Sequence, residues 1–229
     1  MLILGLTITR LSSAAPPNVH DDELEHLSGM AELGIGMLTL PTAQVCTNRL
    51  SEKCKEGDSS LMLEGWQLIR TSRRFAAGAG ITLGLFPTTD VPPNDSPDVQ
   101  RDHKRGYFTA EGILRWYPYT SPTWQAWLGA TGGLVVVSDT YSSTEAQPDR
   151  ALVGPRGVTT RTEGFTLGCA LGIARPLVGS WTIGANLRYG FWNLPAEAAR
   201  NPFGDEASLT GRTSMFLLGI TIGYRINVY

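Results

Sequence analysis

The sequence predicts an all-β protein, an eight-stranded antiparallel up-and-down transmembrane β-barrel. Three observations carry that prediction. Eight segments alternate large apolar residues with small or polar ones at period two, which is the periodicity of a strand and not of a helix. The connections between them alternate short and long. The face opposite the apolar one carries Gly, Thr, Ala and Ser, where a soluble sheet would carry Lys and Glu.

The eight segments are 30–40, 60–71, 74–86, 107–117, 123–137, 164–174, 180–193 and 213–228. The second shows the weakest contrast, because Gln67 falls on its apolar face. The third is the clearest: Phe75, Ala77, Ala79, Ile81, Leu83 and Leu85 oppose Ala76, Gly78, Gly80, Thr82 and Gly84. In the sixth, Phe165, Leu167, Cys169, Leu171 and Ile173 oppose Thr166, Gly168, Ala170, Gly172 and Ala174. The seventh sets Trp181, Ile183, Ala185, Leu187, Tyr189 and Phe191 against Thr182, Gly184, Asn186, Arg188 and Gly190. In the last, Phe216, Leu218, Ile220, Ile222, Tyr224, Ile226 and Val228 share one face.

The connections after the second, fourth and sixth segments are short, "TSRR", "PYTSPT" and "RPLVGS". Those after the first, third, fifth and seventh are long and polar. In an up-and-down barrel alternate connections emerge at one end, so one end is trimmed and the other elaborated. Polar loops near about 20 residues are uncommon in compact domains unless they serve a function or move.

Composition points the same way. Apolar residues make up 42% and charged residues 17%, against roughly 25% charged in an ordinary soluble domain. Lys53, Lys55 and Lys104 are the only lysines, and all fall outside the eight segments. A net charge of -2 gives no electrostatic reason to expect a nucleic-acid partner. No run reaches the ~18 apolar residues of a membrane-spanning helix.

With these features the chain resembles a small bacterial outer-membrane β-barrel of the OmpA/OmpX-like, eight-stranded architecture, over about residues 29–229. The resemblance implies short periplasmic turns, long extracellular loops and both termini in the periplasm. It also implies the bacterial cell outer membrane as the location, outer-membrane lipid and lipopolysaccharide as surroundings, and a monomer. The aromatic residue that usually ends such barrels falls here at Tyr229, one position out of register with Phe216 through Val228.

On this reading the apolar face meets lipid, with aromatic bands at both ends. Near the short turns these are Phe75, Trp116, Tyr119, Trp124 and Trp181; near the long loops they are Phe86, Phe108, Phe165, Phe191 and Phe216. The opposite face holds isolated charges, Glu32, Glu64, Arg70, Glu111, Arg115, Arg188 and Arg225. In the narrow interior of eight strands, filled by side chains, these are expected to pair almost completely, since an unpaired buried charge costs several kcal/mol.

The domain reading is a candidate signal peptide at 1–15, which lacks a positive n-region and so reads as mis-started, a periplasmic tail at 16–28 and the barrel at 29–229. Cys46 and Cys54 share one polar connection and are a candidate disulfide. "HDDELEH" places Asp22 and His26 on one helix face, but reads more simply as a solvated acidic tail. "GAGITLG" has alternating strand glycines and no following helix to hold a phosphate. No metal, cofactor or catalytic residue is assigned. His103, beside Asp102, is the one His outside the tail, and a lone loop His is more often solvated than catalytic.

The expected function is a membrane-structural or surface-interaction role through four long extracellular loops, which could contact an extracellular ligand. The second loop is of mixed charge, Asp90, Asp95, Asp98 and Asp102 against Arg101, Lys104 and Arg105. The alternatives are a small or gated pore, an outer-membrane lipid-modifying enzyme and a soluble lipocalin-like binding barrel.

Overall fold

The computed structural model describes residues 28–45, 55–90, 101–143, 157–201 and 205–227. The candidate signal peptide, the acidic tail, Cys46, Cys54, Asp95, Asp98 and Tyr229 lie outside them.

Nine strands form one antiparallel sheet: β1 (Ser28–Val45), β2 (Lys55–Arg70), β3 (Phe75–Gly84), β4 (Thr88–Asp90), β5 (Arg101–Thr120), β6 (Gln125–Ser143), β7 (Gly157–Pro176), β8 (Trp181–Asn193) and β9 (Arg212–Asn227). Each pairs with its chain neighbour except β3 and β4, which share β5 as a partner, and β1 pairs with β9 over Ser28–Thr39, which closes the sheet. β3 and β4 are one stave interrupted at Pro87, which has no N–H for the ladder, and both halves pair with β5. The staves therefore number eight. Closure leaves no strand edge open through the apolar belt, whereas above it β4 has no ladder to β2 and β7 none to β8 before Phe165.

The tight turns at 71–74, 121–124 and 177–180 are each closed by backbone bonds, such as Ser121 N to Trp124 O and Leu177 N to Trp181 O, both 2.8 Å. Gly179 takes φ +73° in the last of them, a conformation that a side chain would strain.

The outside is apolar. Leu33, Ile35, Met37, Leu114, Leu134, Leu167, Leu218, Ile220 and Ile222 are all exposed on the outer wall. At the short-turn end Phe75, Trp116, Tyr119, Trp124, Trp181 and Tyr224 are exposed; at the long-connection end so are Phe86, Phe165 and Phe216. Gln67 does point outward within this belt, between Ala31 and Ala79.

Two expectations are corrected. The strands run beyond the predicted segments at the long-connection end, so that β5 starts at Arg101 and β6 continues to Ser143. Past the apolar belt the outward positions have no reason to be apolar, so the alternation fades while the ladder continues. Two of the lysines, Lys55 and Lys104, accordingly lie within strands. The interior, second, is far from being lined by small and charged residues alone.

Candidate functional site

The inward face of β2 reads, from the long-connection end, Asp58, Ser60, Met62, Glu64, Trp66, Leu68 and Arg70, all buried. That of β5 reads His103, Arg105, Tyr107, Thr109, Glu111, Ile113, Arg115 and Tyr117, also buried. Polar and apolar layers thus alternate down the lumen.

At the short-turn end Trp66, Leu68, Ala76, Ile113, Tyr117, Trp127 and Ala170 form one apolar cluster. Small residues opposite make room for the indoles. A Cβ on Gly80 would fall 2.4 Å from the Trp66 ring, and one on Gly172 would fall 2.5 Å from the Trp127 ring. The other apolar cluster, toward the long connections, includes Leu38, Leu40, Met62, Tyr107, Val135, Val137, Trp192, Met215 and Leu217.

The predicted charges divide between these layers. Arg115 holds Glu32 by two bonds, Nη1–Oε1 2.8 Å and Nη2–Oε2 2.7 Å, and lies 4.0 Å over the Trp127 ring. Arg188 donates to Glu111 and lies 3.7 Å from Glu64. Glu64 also accepts from Asn186, at 2.7 Å, and from Trp66, at 3.1 Å.

Two of the predicted bases have no acidic partner among the described residues. Arg70 donates to the carbonyls of Ser72 (3.2 Å) and Arg73 (2.6 Å) and to Gln125 (3.2 Å), and sits 4.2 Å over Tyr117. The adjoining turn directs its carbonyls at the guanidinium, so an acid is not needed. Arg225 points inward, half-buried, without an acidic partner among the described residues. The expectation of near-complete ion pairing is corrected for both.

A second polar constellation closes the long-connection end and was not read from the sequence. His103 lies in β5, 2% exposed, rather than in a solvated loop. Its Nδ1 bonds Asp90 and its Nε2 lies 2.7 Å from Asp139 Oδ1. Its ring stacks on Tyr141 at 4.6 Å. Burial alone would lower the His103 pKa, but the bonds to Asp139 and Asp90 outweigh it and hold the value above the ordinary one. Burial would likewise raise Asp139, yet its bonds from His103 and Ser208 keep it below the usual carboxylate range.

Arg105 completes the group, with Nη1 3.0 Å from Asp58 Oδ2 and Nη2 3.5 Å from Asp90 Oδ2. Tyr107 and Thr88 both donate to Asp58, the latter at 2.7 Å. The strand pairings place this cluster above the apolar belt: His103 is level with Tyr141, whereas Phe108 is level with Val136.

The segment between β8 and β9 folds into this end. Leu194 and Leu209 join the upper apolar cluster, and Ala207 is buried. Backbone bonds link its two arms, Leu194 N to Gly211 O (2.8 Å), Gly211 N to Pro195 O (2.9 Å) and Ala207 N to Ala199 O (2.8 Å). Ser208 is tied to the wall by its N–H to Asp139 Oδ2 (3.1 Å), by its hydroxyl to Asp139 Oδ1, and by Arg105 Nε (2.6 Å). Tyr141 donates to the carbonyl of Glu206.

The arrangement is not that of a nucleophile and its base. The hydroxyl of Ser208 rests on Asp139 and Arg105, and both His103 nitrogens face carboxylates, so neither nitrogen is turned toward that hydroxyl as an acceptor.

A closed antiparallel wall, apolar outside and ion-paired inside, decides the architecture. This is the fold of an eight-stranded outer-membrane barrel. No protein-family model matches the chain, and no curated protein does. Among solved structures, the barrel is similar to Neisserial surface protein A, with 11% identity and a TM-score of 0.47, over 86% of this chain and 96% of that one. It is similar to Ail of Yersinia pestis in complex with the heparin analogue sucrose octasulfate, with 10% identity and a TM-score of 0.49, over 86% and 99%. It is also similar to OprG from Pseudomonas aeruginosa, with 14% identity and a TM-score of 0.41, over 90% and 99%. The reading of the fold rests on the closed wall and its two faces, independently of these likenesses.

Proposed function

We propose that this chain is a non-conducting barrel of the bacterial outer membrane, with a membrane-structural and surface-interaction role carried by its long-connection end. The short turns then face the periplasm and the long connections the exterior. The observation that carries the reading is the filled lumen, in which Trp66 and Trp127 below and Tyr107, Trp192 and Met215 above lie to either side of the Arg188–Glu111 pair.

A water path needs a continuous polar track. Here two apolar clusters alternate with the ionic layers, so breaking one ion pair leaves the rest of the plug in place. What remains for function is the exterior: outer-membrane lipid and lipopolysaccharide around the wall, and the long connections as a contact surface for an extracellular ligand, on a monomer.

Planar-bilayer recording tests this. The wild-type barrel is expected to give no discrete openings, and Arg188→Ala is expected to stay silent as well. Discrete unitary conductance from wild type would overturn the reading in favour of a small pore. Openings from Arg188→Ala alone would show that a single charge holds the lumen shut.

A further inference from the structure

The upper cluster joins a titratable ring to a segment that covers the barrel mouth. The segment, described at Leu194–Asn201 and Asp205–Gly211, packs Leu194 and Leu209 onto Trp192, Tyr107 and Met215. Its described residues hold together: in addition to their backbone bonds, Arg200 meets Glu206 at 2.6 Å and Asn201 Nδ2 donates to Asp205 at 2.7 Å. Its polar attachments to the wall converge on Asp139, Arg105 and Tyr141.

We propose that the β8–β9 segment is a proton-controlled cap: protonated His103 locks Asp139 in place to hold Ser208, and loss of that proton releases the cap from the barrel mouth.

The coupling runs through one atom. Asp139 Oδ1 accepts from His103 Nε2 and from the Ser208 hydroxyl. Once the ring is neutral, one of its nitrogens turns a lone pair toward a carboxylate oxygen. Asp139 or Asp90 must then move or take up a proton, because two acceptors at hydrogen-bond distance repel.

The surroundings sharpen the effect. The groups facing the ring are Asp90 on β4, Asp139 and Tyr141 on β6, Arg105 and Tyr107 on its own strand and, through Arg105, Asp58 on β2. The cap contributes Ser208 and the Glu206 carbonyl. With His103 charged, two cations face three carboxylates; with it neutral, Arg105 alone faces Asp58, Asp90 and Asp139. Such an imbalance at a buried site is relieved by hydration, and the cap is what keeps water out. Release would uncover Trp192, Tyr107 and Met215 at the mouth while leaving the Arg188 and Arg115 layers closed, so the cap governs access to the mouth and not conduction.

Hydrogen–deuterium exchange on the full chain in detergent micelles tests the cap. After correction for intrinsic base catalysis, the Ala207 and Gly211 amides of wild type should exchange about tenfold faster near about pH 9 than near about pH 6. The β8 and β9 amides should stay protected at both. His103→Gln should abolish the pH step. Ser208→Ala, which changes only the cap, should exchange fast at both pH values while retaining the heat-modifiable mobility of a folded barrel. Equal cap protection at the two pH values in wild type would overturn the proposal, as would cap protection in Ser208→Ala as strong as in wild type near pH 6. If His103→Gln does not fold, the wild-type and Ser208→Ala results decide the matter.

Discussion

Glu32 and Arg115 lie 83 residues apart in sequence and meet in a two-pronged ion pair at 2.8 and 2.7 Å, inside a wall whose outer surface is Leu and Ile. β1 brings the acid and β5 the base, strands that share no ladder. The contact crosses the lumen, so it reports closure of the barrel in a way that no neighbouring-strand pair can.

Removing one partner strands the other. Arg115→Met is expected to lower the unfolding free energy by about 3–5 kcal/mol, because Glu32 would be left without its partner in a buried site. The Glu32→Gln, Arg115→Met double variant should recover part of that loss. Urea unfolding in micelles, followed by tryptophan fluorescence, measures both. Strictly additive losses would mean that the pair is not formed.

The wall predicts a penalty that depends on depth. Ile35 is paired with Leu63 and Ile220, all on the outer belt. Ile35→Arg should cost about 2–4 kcal/mol in lipid bilayers, as a lipid-facing Arg near the midplane does. Thr140→Arg lies on the outer face above the belt, beside Lys104 and Thr159, and should be near neutral in the same refolding titration. Equal costs at the two positions would mean that the belt does not meet lipid.

The glycines beneath the indoles are steric. Gly172→Val would drive a side chain into Trp127, whose ring lies 2.5 Å from where a Cβ would stand. The expected loss is about 1–3 kcal/mol from overpacking, read from the urea midpoint. An unchanged midpoint would show that the indole is free to move.

Stability should also respond to pH through the upper cluster. His103 has a raised folded pKa, so its contribution is full below the ordinary value of about 6.5 and disappears as pH rises through the folded value. Asp139 has a lowered one, so its contribution is full above the ordinary value of about 3.9 and disappears as pH falls through the folded value. The two overlap between about pH 4 and pH 6.5. His103→Gln should flatten the alkaline limb of a stability–pH curve and weaken the acid limb, because part of the Asp139 shift comes from its bond to His103; a curve identical to wild type would contradict this assignment.

What the sequence showed and what it hid have physical reasons. β3 and β9 were legible because their two faces differ in size: Ala79, Ile81 and Leu83 against Gly78, Gly80 and Gly84. The inward setting of Arg188 and Arg225 followed from the cost of an arginine in lipid. Which charges meet did not follow, since that depends on the stagger of strands across the lumen. Trp66, Trp127, Met62 and Leu217 point inward although they are apolar, because a lumen closed to water accepts apolar side chains as readily as lipid does. The mouth cluster was hidden for a further reason. Around His103 and Arg105 the outward neighbours are Asp102, Lys104 and Gly106, so no hydrophobic contrast marks the strand or distinguishes its faces.

The measurement that bears most directly on the central claim, a closed barrel in the outer membrane, is gel mobility of membrane-fractionated protein with and without boiling. The full chain, exported under a reliable signal, should sediment with outer membranes, resist urea extraction, and run as a compact, faster band that slows once boiled. Protein that stays in solution without detergent and runs identically before and after boiling would contradict the account.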